Sequence, residues 1–193
     1  VKGCANLDFI LRTDIDGSAS SGSPARTPIA DGDICFGGTL HGDGHTISGL
    51  TQSLFGELCG SVYNLGVTGS FNTAGIADTG EGYVENCWIS TTATATEAAS
   101  SKPHAVFGNP SASNGTQLAN CYYPESNKAL YQTGTHARGS ARMMSDRAFY
   151  NGEVAYDLNG FYLGKRYYDH TSLSGSLAEY SYLTQESDGT LST

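Results

Sequence analysis

Positive charge is scarce in this chain: 10 Lys and Arg stand against 19 Asp and Glu, a formal net charge of −9 over 193 residues. Binding to a polyanion requires the opposite balance, so no nucleic-acid partner is expected. Long apolar runs are missing as well. The sequence opens at Val1 without a charged-then-apolar stretch, and no uninterrupted apolar run approaches membrane-spanning length, so no transmembrane segment is expected within it. HExxH, GxSxG and P-loop patterns are absent, which removes the local signatures of zinc peptidase, α/β-hydrolase and nucleotide chemistry. Methionine is rare at 2 residues, whereas 25 Gly, 12 Tyr and abundant Ser and Thr favour turns and pleated surfaces over long helices. The composition is that of a secreted or surface-exposed protein.

Five cysteines, Cys4, Cys35, Cys59, Cys87 and Cys121, cannot all pair within one chain, so at least one is free or pairs elsewhere. They lack CxxC spacing and the density of a disulfide-built miniprotein, and they read more readily as small apolar core residues than as disulfide partners.

What the chain does have is a repeat. "SLFGELCGSVYNLGV" (53–67) lies above "GIADTGEGYVENCWI" (75–89) at an ungapped offset of 22 residues. A third copy, "AVFGNPSASNGTQLANCYY" (105–123), joins them when a 4-residue insertion is allowed. A period this short does not suit a propeller blade or a helical-hairpin repeat but does suit one coil of a solenoid, in which equivalent apolar positions stack into buried columns. The expected columns are Leu54, Ile76 and Val106; Val62, Val84 and Leu118; Leu65, Cys87 and Cys121; and Val67, Ile89 and Tyr123. Asn64, Asn86 and Asn120 share one position, where Asn tolerates left-handed backbone and its amide can bond to the next coil, so they predict a turn ladder. Gly60 and Gly82, four residues earlier, relieve the preceding corner.

The ends depart from the repeat. Upstream, "LDFILRTDIDGS" and "FGGTLHGDGHTISGL" supply one or two further coils, separated by a Ser/Gly-rich loop at 17–25. Downstream, in "SDRAFYNGEVAYDLNG" (145–160), Ala148, Phe149, Val154, Ala155 and Leu158 fall near one helical face, Ser145 or Asp146 can cap its start and Gly160 can end it. A helix there would cover an open end of the stack, as solenoids require. The expected fold class is all-β: one domain over 1–193, a short right-handed parallel β-helix (solenoid) of about 22 residues per coil, with coils over 7–123, a loop over 124–144, and a small helical C-terminal cap and tail over 145–193.

"DID" followed by "TPI", then "GGTLHGDGHTISGL", "SLFGELCGSVYNLGV", "GYVENC" and "RAFYNGEVAYDLNG", together resemble the GLUG-motif repeat surface proteins of Bacteroidetes, repeats also found in non-catalytic regions of some IgA-specific metallopeptidases. The similarity spans roughly residues 7 to 160, with the family's GLFG reading "SLFG" here and its GGIAG-like turn reading "AGIAD". The resemblance implies a right-handed parallel β-helix and a role in adhesion or display at the cell surface.

Three sets of residues could carry chemistry. In "HGDGH", His41, Asp43 and His45 alternate and would share one face of a regular strand, a set of metal ligands suited to zinc. Gly42 and Gly44 argue instead for a turn, and the matching stretch of the resembled family, DGNGHTI, uses its Asp and His to make a bend. The pairs Asp14 with Asp16 and Asp31 with Asp33 could bind calcium or act as the acid and base of a glycan-cleaving enzyme, although Asp beside Gly more often forms turns. His104, His136 and His170 are isolated and read as solvated loop residues. Near the C-terminus, "FYLGKRYYDH" sets Tyr162, Tyr167 and Tyr168 beside Arg166, a combination suited to binding glycan or protein, with packing of the cap as the competing use.

The expected function is that of a non-catalytic adhesin or display module, extracellular or on the cell surface, without a cofactor. Its partner would be a glycoprotein, polysaccharide or cell-envelope protein on a host or neighbouring cell. The alternatives are a β-helix carbohydrate-active enzyme, lyase or hydrolase, and an accessory domain of a large surface protease.

Overall fold

The computed structural model describes residues 6–18, 27–31, 34–94, 103–110, 117–131, 141–158, 184–185 and 191–192. Among the described residues short strands build three sheets in which every pairing is parallel. The first sheet joins β1 (Phe9–Ile10), β3 (Thr39–His41), β6 (Ser61–Tyr63), β9 (Tyr83–Glu85) and β12 (Gln117–Ala119) in that order. The second joins β2 (Ile15–Asp16), β4 (Thr46–Leu50), β7 (Gly66–Gly69), β10 (Trp88–Thr91), β13 (Tyr122–Pro124) and β14 (Arg142–Met144). The third joins β5 (Phe55–Leu58), β8 (Ala77–Gly80) and β11 (Phe107–Pro110). Three successive coils, β3 to β5, β6 to β8 and β9 to β11, each lay one strand on each of three faces, and the chain is a parallel β-solenoid. No helix among the described residues is long and apolar enough to cross a membrane.

The columns form as their spacing predicts. Val62 pairs in register with Leu40 on one side and Val84 on the other, and Val84 pairs with Leu118. Leu54, Ile76 and Val106 are buried together, as are Leu65, Cys87 and Cys121, and Val67, Ile89 and Tyr123. A dry interior of aliphatic side chains is the main force holding the coils together.

The corner between the first and second sheets is made by the asparagines. Asn64, Asn86 and Asn120 have φ of 52°, 58° and 52°, left-handed values that Asn tolerates better than most residues. Asn86 donates from Nδ2 to Asn64 Oδ1 at 2.6 Å, and Asn120 donates to Asn86 Oδ1 at 2.6 Å. Gly60 serves a different need from backbone freedom: a Cβ there would lie 1.9 Å from the carbonyl oxygen of Gly38 on the preceding coil. Coils touch backbone to backbone at this second corner, between the third and first sheets.

Three features differ from expectation. Cys35 and Cys59 form a disulfide with Cα atoms 5.7 Å apart, tying an early coil to its neighbour, whereas Cys87 and Cys121 are free and buried. The stretch 124–144, expected to be loop, contains β14, whose pairing with β13 adds another rung to the second sheet. It also contains a 3-10 turn, Glu125–Asn127, from which buried Asn127 donates Nδ2 to the Thr91 carbonyl and accepts from the Thr91 amide, closing that strand end as a backbone would. Finally, the single helix expected over 145–160 is two, α1 (Asp146–Tyr150) and α2 (Glu153–Leu158), broken at Asn151 and Gly152, the latter at φ 86°.

Ser145 caps α1 by accepting from the Ala148 amide at 3.2 Å. The helices pack with Tyr122 and Trp88, residues that point outward from the second sheet, and so cover the flank of the later coils. The Asp157 carbonyl, near the end of α2, accepts from Asn120 Nδ2 at 2.8 Å. The cap thus terminates the asparagine ladder. Outside these elements, Thr184–Gln185 and Leu191–Ser192 pair antiparallel with each other.

Candidate functional site

His41, Asp43 and His45 do not lie on one strand face. β3 ends at His41, whose ring stacks on Tyr63 of the next coil at 5.1 Å and 19°. Asp43 is exposed within the turn at φ 55°, followed by Gly44 at φ 84°. His45 lies beyond the bend, with Nδ1 3.2 Å from Asp14 Oδ1. Alternation brings side chains together only where the strand is unbroken, and Gly42 and Gly44 place a corner between these residues. Among the described residues no three His, Cys, Asp or Glu gather in a group able to hold a metal ion.

Asp14 and Asp16 hold backbone amides. Asp14 Oδ1 also accepts from the Thr46 amide at 2.8 Å, which pins the first coil to the second, and Asp16 Oδ1 accepts from the Ser18 amide at 2.8 Å. Asp31 is exposed, and Asp33 lies outside the described residues. His104 is half-buried, while His136 and His170, like the expected binding residues Tyr162, Arg166, Tyr167 and Tyr168, also lie outside them.

The free thiols suit packing better than catalysis. Burial pushes the Cys87 thiol well above its ordinary value, and its neighbour Cys121 pushes it further. A thiol held in its neutral form is a poor nucleophile. Cys87 Sγ donates to the Glu85 carbonyl at 3.2 Å and Cys121 Sγ to the Ala119 carbonyl at 3.3 Å, the same contact repeated one coil later.

Two aromatic features went unread in the sequence. On the outer side of the first sheet, His41, Tyr63 and Tyr83 form a half-buried file, with Tyr63 and Tyr83 tilted 51° at 5.7 Å. His41 and Tyr63 turn their faces toward each other, so this file offers a partner mainly ring edges.

The second feature is a cleft of about 730 Å³ between the second sheet and the helical cap. Trp88 and Ser90 of β10 and Thr68 of β7 line its sheet side, and Ser126, Asp146 and Phe149 line its cap side. Trp88 is the chain's one tryptophan. Its neighbour in register on the preceding coil is Gly66, and a Cβ there would lie 2.6 Å from Trp88 Cε2 and 2.7 Å from Cζ2. Part of the indole therefore occupies the space that a side chain at position 66 would otherwise fill. Phe149 of α1 meets it edge-on at 6.1 Å and 63°. Asp146 Oδ1 accepts from the Ser126 amide at 3.0 Å, which fixes the carboxylate at the rim. A concave site with an aromatic wall, the hydroxyls of Thr68, Ser90, Ser126 and Tyr150, and one carboxylate is equipped for binding.

One signal for the cleft was available. Between inward-facing Cys87 and Ile89, Trp88 had to face outward, and the aligned position in the preceding copy is Gly66. The cap that makes the second wall comes from the far end of the chain, where local pattern carries no information about it. Comparisons with protein-family models, with curated proteins and with solved structures found no match to this chain.

Proposed function

We propose that the chain is a non-catalytic module for adhesion or display, extracellular or on a cell surface, of the kind found in the GLUG-motif repeat proteins it resembles. Its partner is a glycan or glycoprotein on a host or neighbouring cell, or a component of the cell envelope. One observation carries the reading. Asn64 and Asn86 are 22 residues apart and Asn86 and Asn120 are 34 apart, yet both pairs make the same 2.6 Å amide bond. The stack absorbs an insertion without losing register, as a scaffold must if it is to carry loops of variable length on a rigid body.

The test is retention of the purified chain on immobilised mucin and on a panel of plant and bacterial polysaccharides, with release of reducing ends and unsaturated sugars measured in parallel. Retention without turnover is the expected result. Turnover of any polysaccharide would establish an enzyme instead. Antibody labelling of intact cells that carry the gene checks the location, with signal expected at the surface or in the medium; signal confined to the lysate would contradict it.

A further inference from the structure

We propose that the cleft between the second sheet and the helical cap is a saccharide-binding site, with the Trp88 indole as its stacking surface. This rests on the adhesive reading above and assigns that function a ligand class and a place. Trp88 sets Cε2 and Cζ2 over Gly66 of the neighbouring coil and also lines the cleft, beside Phe149. The C–H face of a pyranose is apolar and weakly positive, and it complements the negative face of an indole.

A sugar seated there still has a rim of hydroxyls to satisfy, and the cleft supplies partners for them. Thr68, Ser90 and Ser126 can each donate or accept, and Asp146, exposed at the rim, is an acceptor only. Because Asp146 already takes the Ser126 amide on Oδ1, its position is set before ligand arrives. The volume, about 730 Å³, admits a short oligosaccharide more readily than a folded partner. The charge selects the kind of sugar: a chain of net charge −9 with a carboxylate at the rim repels uronic-acid polymers and sulfated glycans, so the ligand is neutral.

Trp88, the sole tryptophan, reports on the site directly. The experiment follows its fluorescence in the full chain, excited where tyrosine does not absorb, during titration with oligosaccharides of mannose, glucose, xylose and galactose, with oligogalacturonate as the acidic control. A saturable change with at least one neutral series and none with oligogalacturonate is expected. Gly66→Ala should weaken binding about tenfold or more by lifting the ring, and Asp146→Asn should weaken it severalfold. Tyr63→Ala, in the other aromatic file, should leave it unchanged and show that the sheet surface tolerates substitution.

The site is overturned if no neutral series perturbs Trp88. It is equally overturned if Gly66→Ala binds as well as the parent while its thermal unfolding is unchanged, or if Trp88 in the free protein is already inaccessible to acrylamide, meaning that the chain's own residues fill the cleft. Any of these leaves the adhesive module standing, provided the chain is still retained on mucin or a polysaccharide. Turnover of a bound sugar would refute the non-catalytic reading and leave the site in place.

Discussion

Replacing Asn86 by Ala strikes the ladder at its middle rung. Asn86 both donates to Asn64 and accepts from Asn120, so the substitution removes two amide hydrogen bonds, each contributing about 1 kcal/mol net. It also places at φ 58° a residue whose side chain does nothing to favour that conformation, which adds about 1 kcal/mol. Position 86 is buried, and Asn64 Oδ1 loses its donor, so the expected loss is about 3 to 4 kcal/mol. Asn86→Gly separates the two causes. Glycine accepts the left-handed backbone but makes neither bond, and it should be about 1 kcal/mol milder than Ala. Asn64→Ala, at the start of the ladder, loses one such bond and should cost about 2 kcal/mol. Reversible urea unfolding is the assay, with the midpoint falling and the slope unchanged. Equal losses for Ala and Gly at position 86 would refute the backbone argument. A loss below about 1 kcal/mol for Asn86→Ala would refute the ladder itself.

Removing the disulfide by Cys35→Ala with Cys59→Ala opens a cross-link between residues 24 apart, and chain entropy sets the cost at about 3 kcal/mol; a non-reduced digest should yield the linked peptides, and their absence would refute the pairing. The Tyr131 hydroxyl is buried without a hydrogen-bond partner among the described residues, and Tyr131→Phe should raise stability by about 1 kcal/mol; a marked loss would show that the hydroxyl is bonded. Burial raises the Asp157 carboxyl above its ordinary value, an effect that Arg142 opposes and Glu153 reinforces. The folded state then holds this proton more tightly than the unfolded one, so Asp157 costs nothing below the unfolded pKa and costs most above the raised folded value. Asp157→Asn should therefore stabilise the protein near neutral pH and have a vanishing effect in acid, as measured by urea midpoints across pH; an effect that grows on acidification would refute the assignment.

How much could be read beforehand varied with how local the cause was. The columns through Val62, Val84 and Leu118 and the Asn64, Asn86 and Asn120 ladder were legible because each coil repeats the same constraint, an apolar side chain inside and a left-handed residue at the corner. The bend at His41 to His45 was readable from Gly42 and Gly44, and the competing alternation of His and Asp was not evidence of a strand. β14 follows β13 at an offset of 20 residues, but "RMM" shares no residue type with "YYP", so the near-period spacing carried no visible match. The split between α1 and α2 was marked by Asn151 and Gly152, a turn signal masked by apolar residues on either side that suit one continuous helical face. Cys35 lies outside the aligned copies, so no column placed it beside Cys59. The cleft depended on α1 folding back onto the second sheet, a tertiary event with no local signature.

The central claim is that successive coils lie one upon another in parallel register, and methyl-to-methyl NOEs measure it most directly. With Leu and Val methyls labelled, the account predicts a chain of contacts from Leu40 to Val62, Val62 to Val84 and Val84 to Leu118, each residue seeing only its neighbours in the column, and no contact between Leu40 and Leu118. Absence of the Val62 to Val84 contact, or a direct contact between Leu40 and Leu118, would contradict it.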